Sequence, residues 1–281
     1  MSAVHFGLTS NPVKLVMLHA NGFNALAYRS VLEPLGVHTI ALDMRGHGMS
    51  TLPTDIKGLK SWYIFRDDVL AFFERYIDRP VVIAGHSYGG AVAALAAPAL
   101  KDKISGYAGF DPVMVPLLFR FWPYIPGGRA FMKKYIPIAR AAGRRRYVFE
   151  SFEAAFARYK GRGAFKGFTD QALRDYLEGG LKLHPDGVQL ACHPLWEQAI
   201  FAAQGQNVFR HLSVLPENSS IHYAGAVGAI STPGLRRYVG KKLKSGDVTF
   251  HADFGHLFPF HHPDFTVSIL SQRLQQASLR R

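Results

Sequence analysis

The chain has 281 residues, 48% of them hydrophobic and 19% charged, enough apolar material for one large core or a core with an inserted subdomain. A single cysteine, Cys192, excludes an intrachain disulfide and a structural zinc site built on several thiolates. The formal charge of +13 attracts anions, but the basic residues are scattered apart from Arg144-Arg145-Arg146 and Lys241-Lys242-Leu243-Lys244, and no nucleic-acid-binding motif accompanies them. A solvated basic surface, with no nucleic acid partner, is the expectation.

The opening MSAVHFGLTSNPVKLVML has no charged segment leading into an apolar run and a small-residue cleavage site. The longest apolar runs fall short of the ~20 residues a membrane span needs. A cytoplasmic protein without a membrane span is expected.

In chain order, short Val/Ile-rich segments alternate with helical patterns, the signature of a parallel sheet with crossover helices. Strands are expected at Lys14 to His19, His38 to Leu42, Val81 to Ala84, Ile104 to Phe110, Ile221 to Ala224 and Val248 to His251. Helices are expected at Trp62 to Tyr76, Ala91 to Leu100 and Asp264 to about Gln276. From Pro112 to roughly Ala203 no buried strand is evident, whereas FESFEAAFARY and DQALRDYLEGGL have helical spacing. The expected organisation is a core of residues 1–111 and 206–281 carrying a helical insertion, 112–205. Over Pro112 to Gly205 the insertion holds fourteen Lys/Arg against seven Asp/Glu, about half of the net positive charge.

The most informative stretch is PVVIAGHSYGGA, residues 80 to 91. Gly85-His86-Ser87-Tyr88-Gly89 fits G-x-S-x-G, with a strand immediately before it and a helix immediately after, the context in which this motif presents a nucleophile. A serine at so tight a turn projects its hydroxyl from the sheet edge, and side chains at 85 and 89 would clash with the turn. The following helix aims its first N–H groups at developing negative charge. Serine needs a base, itself oriented by a carboxylate. In HADFGHLFPFHHPDF, His256 lies in a loop just after the last strand; His251 is second choice, and His261 and His262 read as surface residues.

With these residues in view the chain resembles the α/β-hydrolase superfamily over nearly its whole length. His19-Ala20-Asn21-Gly22 stands where the family has His-Gly-x-x, Asp43 to Ser50 matches D-x-R-G-H-G-x-S, Gly85 to Gly90 is the nucleophile elbow, and Gly255-His256-Leu257-Phe258-Pro259 resembles G-H-x-x-P. About thirteen residues precede the first matched strand, too few for the two strands usual there, so one or both are expected to be shortened or missing. Gly225 to Ser231 carries no carboxylate where many relatives have the acid. The resemblance implies the other placement, after the strand following the elbow helix, which is Asp111; an Asp-Pro turn opening the insertion is the competing reading. Asp43 is a poorer candidate, since its loop is structural in the family.

The resemblance further implies an oxyanion hole from the backbone N–H of Tyr88 and Asn21, structural roles for His19 and His86 beside the site, and a helical cap formed by the insertion. Phe23, His86, Phe119 and Trp122 are candidate substrate-binding residues, and Phe121, Tyr124 and Phe131 are further aromatics that could line an apolar pocket. Serine at position 87 argues against dehalogenase and epoxide hydrolase chemistry and fits hydrolysis of a small or medium apolar ester through an acyl-enzyme, with no metal or organic cofactor. Carbon–carbon bond hydrolysis or perhydrolysis on the same three residues, and a non-enzymatic small-molecule receptor, are the alternatives. A monomer or homodimer is expected.

Overall fold

A computed structural model describes residues 1–226 and 231–279. Ten strands run in chain order: β1 (Ser2–Phe6), β2 (Leu15–Leu18), β3 (Thr39–Asp43), β4 (Val81–His86), β5 (Ile104–Phe110), β6 (Val148–Phe149), β7 (Leu181–His184), β8 (Gly187–Leu190), β9 (Ser219–Ala224) and β10 (Asp247–His251). Seven of them form a central sheet in the order β1-β3-β2-β4-β5-β9-β10, parallel except for β1, which lies antiparallel on β3 with Ser2 opposite Asp43. Among the described residues β1 is the strand that precedes β2. Its side chains alternate between half-buried and exposed before ending on buried Phe6, the pattern of an edge strand.

Strands β2 and β4 are buried throughout, as expected where helices cover both faces of a parallel sheet. Alternate side chains supply two cores. Val16, Leu18 and Ile83 pack with Phe65, Val69 and Phe73 of the helix Tyr63–Tyr76 and with the wholly buried helix Tyr88–Ala96. Leu15, Met17, Val82 and Ala84 face the other way, onto Val31, Leu32 and the C-terminal helix Pro263–Leu279 through Leu270 and Ala277. The elbow helix is rich in alanine and glycine, and only such small residues let it lie so close to β4.

The chain passes from β2 outward to β3 and then returns to the opposite side of β2 as β4. The loops leaving the C-terminal ends of β2 and β4 thus diverge at a switch point of the sheet, the crevice where ligands collect in open α/β folds. The first of these loops starts at His19 and the second at Ser87.

Between β5 and β9 the chain leaves the central sheet and forms short helices, the longest Asp170–Gly180 and Pro194–Ala202. The segment expected to be a helical insertion also holds three short strands. β6, β8 and β7 build a small antiparallel sheet, with Leu181 opposite Leu190 and Val148 opposite Gln189. These strands have two to four residues and leave Leu183 exposed, so they carry none of the apolar density that marks a buried strand.

Candidate active site

Strand β4 ends at His86, and the helix beginning at Tyr88 leaves Ser87 alone to make the turn, at φ 55° and ψ −117°. Ser87 and Asp111 (φ 43°) are the only non-glycine residues with positive φ among the described residues, and such strained positions gather at functional sites. The glycines have a steric cause. A Cβ on Gly85 would lie 2.5 Å from the Gly89 carbonyl carbon and 2.6 Å from the Gly90 nitrogen, and one on Gly89 would meet the Leu18 and His19 carbonyls. Glycine stands on both sides of the serine because the adjacent backbones close to within the space of a methyl group.

Ser87 Oγ lies 2.9 Å from His256 Nε2, and His256 Nδ1 lies 2.6 Å from Asp111 Oδ2. Asp111 is fully buried, and its second oxygen accepts the Ala224 N–H at 3.3 Å. With acceptors already fixed on one side, His256 carries its proton on Nδ1, donates it to Asp111 and leaves Nε2 to accept from the serine hydroxyl. The three side chains come from the ends of β4 and β5 and from the loop after β10. Residues 227–230 of the loop after β9, within the stretch that lacks a carboxylate in the sequence, lie outside the described residues.

His86 is buried beneath this array. Its Nε2–H donates to the His256 carbonyl at 2.8 Å, and its Nδ1 accepts from the Tyr28 hydroxyl, also at 2.8 Å. Tyr28 in turn accepts the Ala20 N–H at 3.1 Å, so one chain of hydrogen bonds joins the loop carrying the base to the loop after β2. Burial, with His256 nearby, holds the His86 ring far below the ordinary histidine range and therefore neutral. His86 lines neither of the two cavities that reach Ser87, and its hydrogen bonds place it as a support of the loop carrying His256.

The loop after β2 is pinned by two more neutral histidines. His19 accepts the Met44 N–H at 3.0 Å and donates to the Ala20 carbonyl, while His47 donates to the Arg45 carbonyl and accepts the Gly22 N–H at 3.1 Å. Burial lowers both rings, most strongly His47. With Phe23 N–H bonded to the Ala20 carbonyl, Asn21 keeps the one N–H between Ala20 and Phe23 that has no acceptor among the described residues. Its side chain is engaged elsewhere, donating to the Glu197 carbonyl at 3.0 Å. The Tyr88 N–H opens a helix and likewise has no backbone acceptor.

Two cavities meet at Ser87 and His256. The larger, about 610 Å³, is bounded by Asn21, Phe23, Arg145, Tyr159, Tyr176 and Glu197. The other, about 410 Å³, is lined by Trp62, Val113, Met114, Phe119, Met132 and Leu235 among others and is mostly apolar, with Gln204, Ser231 and Thr232 as polar members. Phe23 and Phe119 therefore stand at the site, but Trp122 does not: its ring stacks on Phe131 at 4.7 Å, and it lines neither cavity. Phe121, Tyr124 and Phe131 are likewise absent from both walls. Asp43 accepts from Ser2, the Ala25 N–H and the Met49 N–H, a loop-holding role. His251 bonds His222 at 3.2 Å rather than approaching Ser87.

Sequence reasoning missed the polar wall of the larger cavity. Arg145 pairs with Glu197 at 2.6 Å and donates to the Tyr176 and Tyr159 hydroxyls at 2.6 and 3.2 Å, and the surrounding oxygens hold its guanidinium charged despite burial. Within the run Arg144-Arg145-Arg146 no pattern in the sequence singles out the middle residue.

Comparison with known proteins adds a second line. The model of the alpha/beta hydrolase family matches residues 15–269. The AB hydrolase superfamily protein YfhM of Bacillus subtilis (strain 168) is 35% identical over 86 residues, a stretch that is 28% of this chain and 28% of that protein. Protein ABHD8 of Homo sapiens is 32% identical over 80 residues, 27% of this chain and 18% of that protein, so the match spans less than a third of either relative. Among solved structures, E-2-(acetamidomethylene)succinate hydrolase superposes with a TM-score of 0.77 at 16% identity, covering 97% of this chain and 94% of that one. A thermophilic esterase from Thermogutta terrifontis superposes at 0.69 and 17% identity, over 98% and 93%. At such identities the likeness is one of fold.

Proposed function

The chain belongs to the alpha/beta hydrolase family, and from that premise we propose that it is a serine hydrolase cleaving carboxylic esters of small to medium apolar acids, with residues 112–205 as the cap over its site. The observation that carries the reading is the continuous hydrogen-bonded series Ser87, His256, Asp111, at 2.9 and 2.6 Å. In this reading His256 removes the Ser87 proton as Oγ attacks the ester carbonyl. The carbonyl oxygen, now negative, accepts from the backbone N–H groups of Tyr88 and Asn21, donors that need no reorganisation. His256, charged and steadied by Asp111, protonates the departing alcohol, and water repeats the sequence on the acyl-enzyme. The two cavities meeting at Ser87 support a substrate with an arm on each side of the carbonyl, the acyl arm in the apolar one.

Hydrolysis of p-nitrophenyl acetate, butyrate and octanoate by the wild type and Ser87→Ala tests this. Turnover by the wild type alone is expected. Equal rates from both proteins, or no turnover of any chain length, would refute the ester reading.

A further inference from the structure

The cap carries a feature the chemistry at Ser87 does not use. Between Pro112 and Phe149 there are eight Lys/Arg and no Asp or Glu. Of these basic residues Arg145 pairs with Glu197, Arg146 approaches Glu150 and Arg129 is turned onto the Ile56 and Leu59 carbonyls at 3.0 and 3.1 Å, while Arg120, Lys133, Lys134, Arg140 and Arg144 have no carboxylate within ion-pair distance among the described residues. Partial burial, with Arg129 nearby, lowers the affinity of Lys133 for its proton.

The same stretch turns its large apolar side chains outward. Leu118 is 80% exposed, Phe121 58%, Tyr135 56% and Phe131 46%. In the helix Gly128–Tyr135 only Met132 and Gly128 face inward, while Phe131 stacks on Trp122 at 4.7 Å and meets Tyr135 at 4.4 Å on the solvent side. Outward aromatic rings in a stretch that carries basic but no acidic residues have the composition of a membrane-interface element. The patch is also continuous with the site, because Phe119, Met132, Ile136 and Ile138 of this stretch line the apolar cavity that reaches Ser87.

We propose that this face of the cap docks on an anionic lipid surface, with Leu118, Phe121, Phe131 and Tyr135 entering the headgroup layer and the unpaired Lys and Arg neutralising lipid phosphates. A second copy of the chain is disfavoured as the occupant, since two such faces would set the same uncompensated cations against one another. An acidic protein would satisfy the charges but gives no reason for the outward rings. The docking reading is independent of which bond Ser87 attacks.

The test is co-sedimentation of the full chain with vesicles of phosphatidylcholine, alone or containing one third phosphatidylglycerol. Tight binding to the anionic vesicles and little to the neutral ones is expected, falling as salt rises. Each interfacial cation strengthens such binding by about fivefold, so the triple change Lys134→Gln, Arg140→Gln, Arg144→Gln should weaken it by roughly a hundredfold. An equal charge change at the opposite end of the sheet, Arg75→Gln, Arg79→Gln, Lys101→Gln, should weaken it by less than about fivefold. Leu118→Ser with Phe121→Ser should reduce binding while leaving ester turnover in free solution unchanged. Absence of binding, equal weakening by the two charge triples, or complete displacement by soluble polyglutamate with no effect of the Leu118 and Phe121 changes would overturn the proposal.

Discussion

Asp111→Asn is the substitution whose consequence follows most closely from the geometry. The Ala224 N–H fixes one carboxylate oxygen as an acceptor. In the variant the amide oxygen keeps that bond, and the NH₂ group turns toward His256 Nδ1, now 2.6 Å from a carboxylate oxygen. A donor there selects the tautomer with the proton on Nε2, which then cannot accept from Ser87. Asparagine tolerates the positive φ of 43° as well as aspartate does, so the backbone is not disturbed and the fold should be retained. The loss is therefore one of catalysis, about 10⁴-fold in kcat, or roughly 5 kcal/mol at the transition state. It is read from p-nitrophenyl ester turnover beside a thermal melt. A variant that melts with the wild type and keeps more than a third of its kcat would refute Asp111 as the partner of His256.

Other substitutions probe the supports. His86→Phe keeps ring volume but leaves the Tyr28 hydroxyl and the His256 carbonyl without their partner; kcat should fall by about 10- to 100-fold with KM nearly constant, and His86→Gln should recover part of the loss. An unchanged kcat in His86→Phe would show that the loop holds itself. Gly89→Ala puts a methyl group against the Leu18 and His19 carbonyls, and a loss of about 3 kcal/mol or more by urea denaturation is expected, while a change under 1 kcal/mol contradicts the packing described. Ser87→Gly should be more stable than Ser87→Ala by about 1 kcal/mol, since only glycine relaxes at φ 55°. His222 is buried, and burial with His251 and Arg273 nearby lowers its pKa from 6.5 to about 3. The unfolded chain thus binds the extra proton below pH 6.5, and stability declines as pH falls from 6.5 toward 3. At about pH 4.5 the decline from this ring is roughly 2 to 3 kcal/mol. The drop in unfolding free energy between neutral pH and pH 4.5 should be smaller by that amount in His222→Gln; identical drops would contradict it.

The elbow was legible because its demands are local. Gly85, Ser87 and Gly89 lie within five residues, and the strand before and helix after them follow from periodicity. Asp111 was marked more indirectly, by a strand end, a carboxylate missing elsewhere and the placement that the family resemblance implies, while the following proline spoke for a turn instead. The pairing of Arg145 with Glu197 was not, because 52 residues separate them and nothing in a run of three arginines tells which side chain turns inward. Trp122 misled for a related reason: an aromatic residue in the cap reads as pocket lining, yet its ring joins Phe131 on the outside. The edge strand β1 and the small sheet of β6, β7 and β8 escaped because half-exposed strands of two to five residues lack an apolar run. The unpaired charge of the cap was visible as composition, but its coincidence with outward rings required the fold.

The most direct measurement is the mass of the peptide that carries a fluorophosphonate adduct after proteolysis. The adduct should sit on the peptide containing Ser87, should be absent in Ser87→Ala, and should form far more slowly in His256→Ala, since the imidazole 2.9 Å from Oγ activates the attack. An adduct on another residue, or none in the folded wild-type protein, would contradict a nucleophilic Ser87 and with it the hydrolase account.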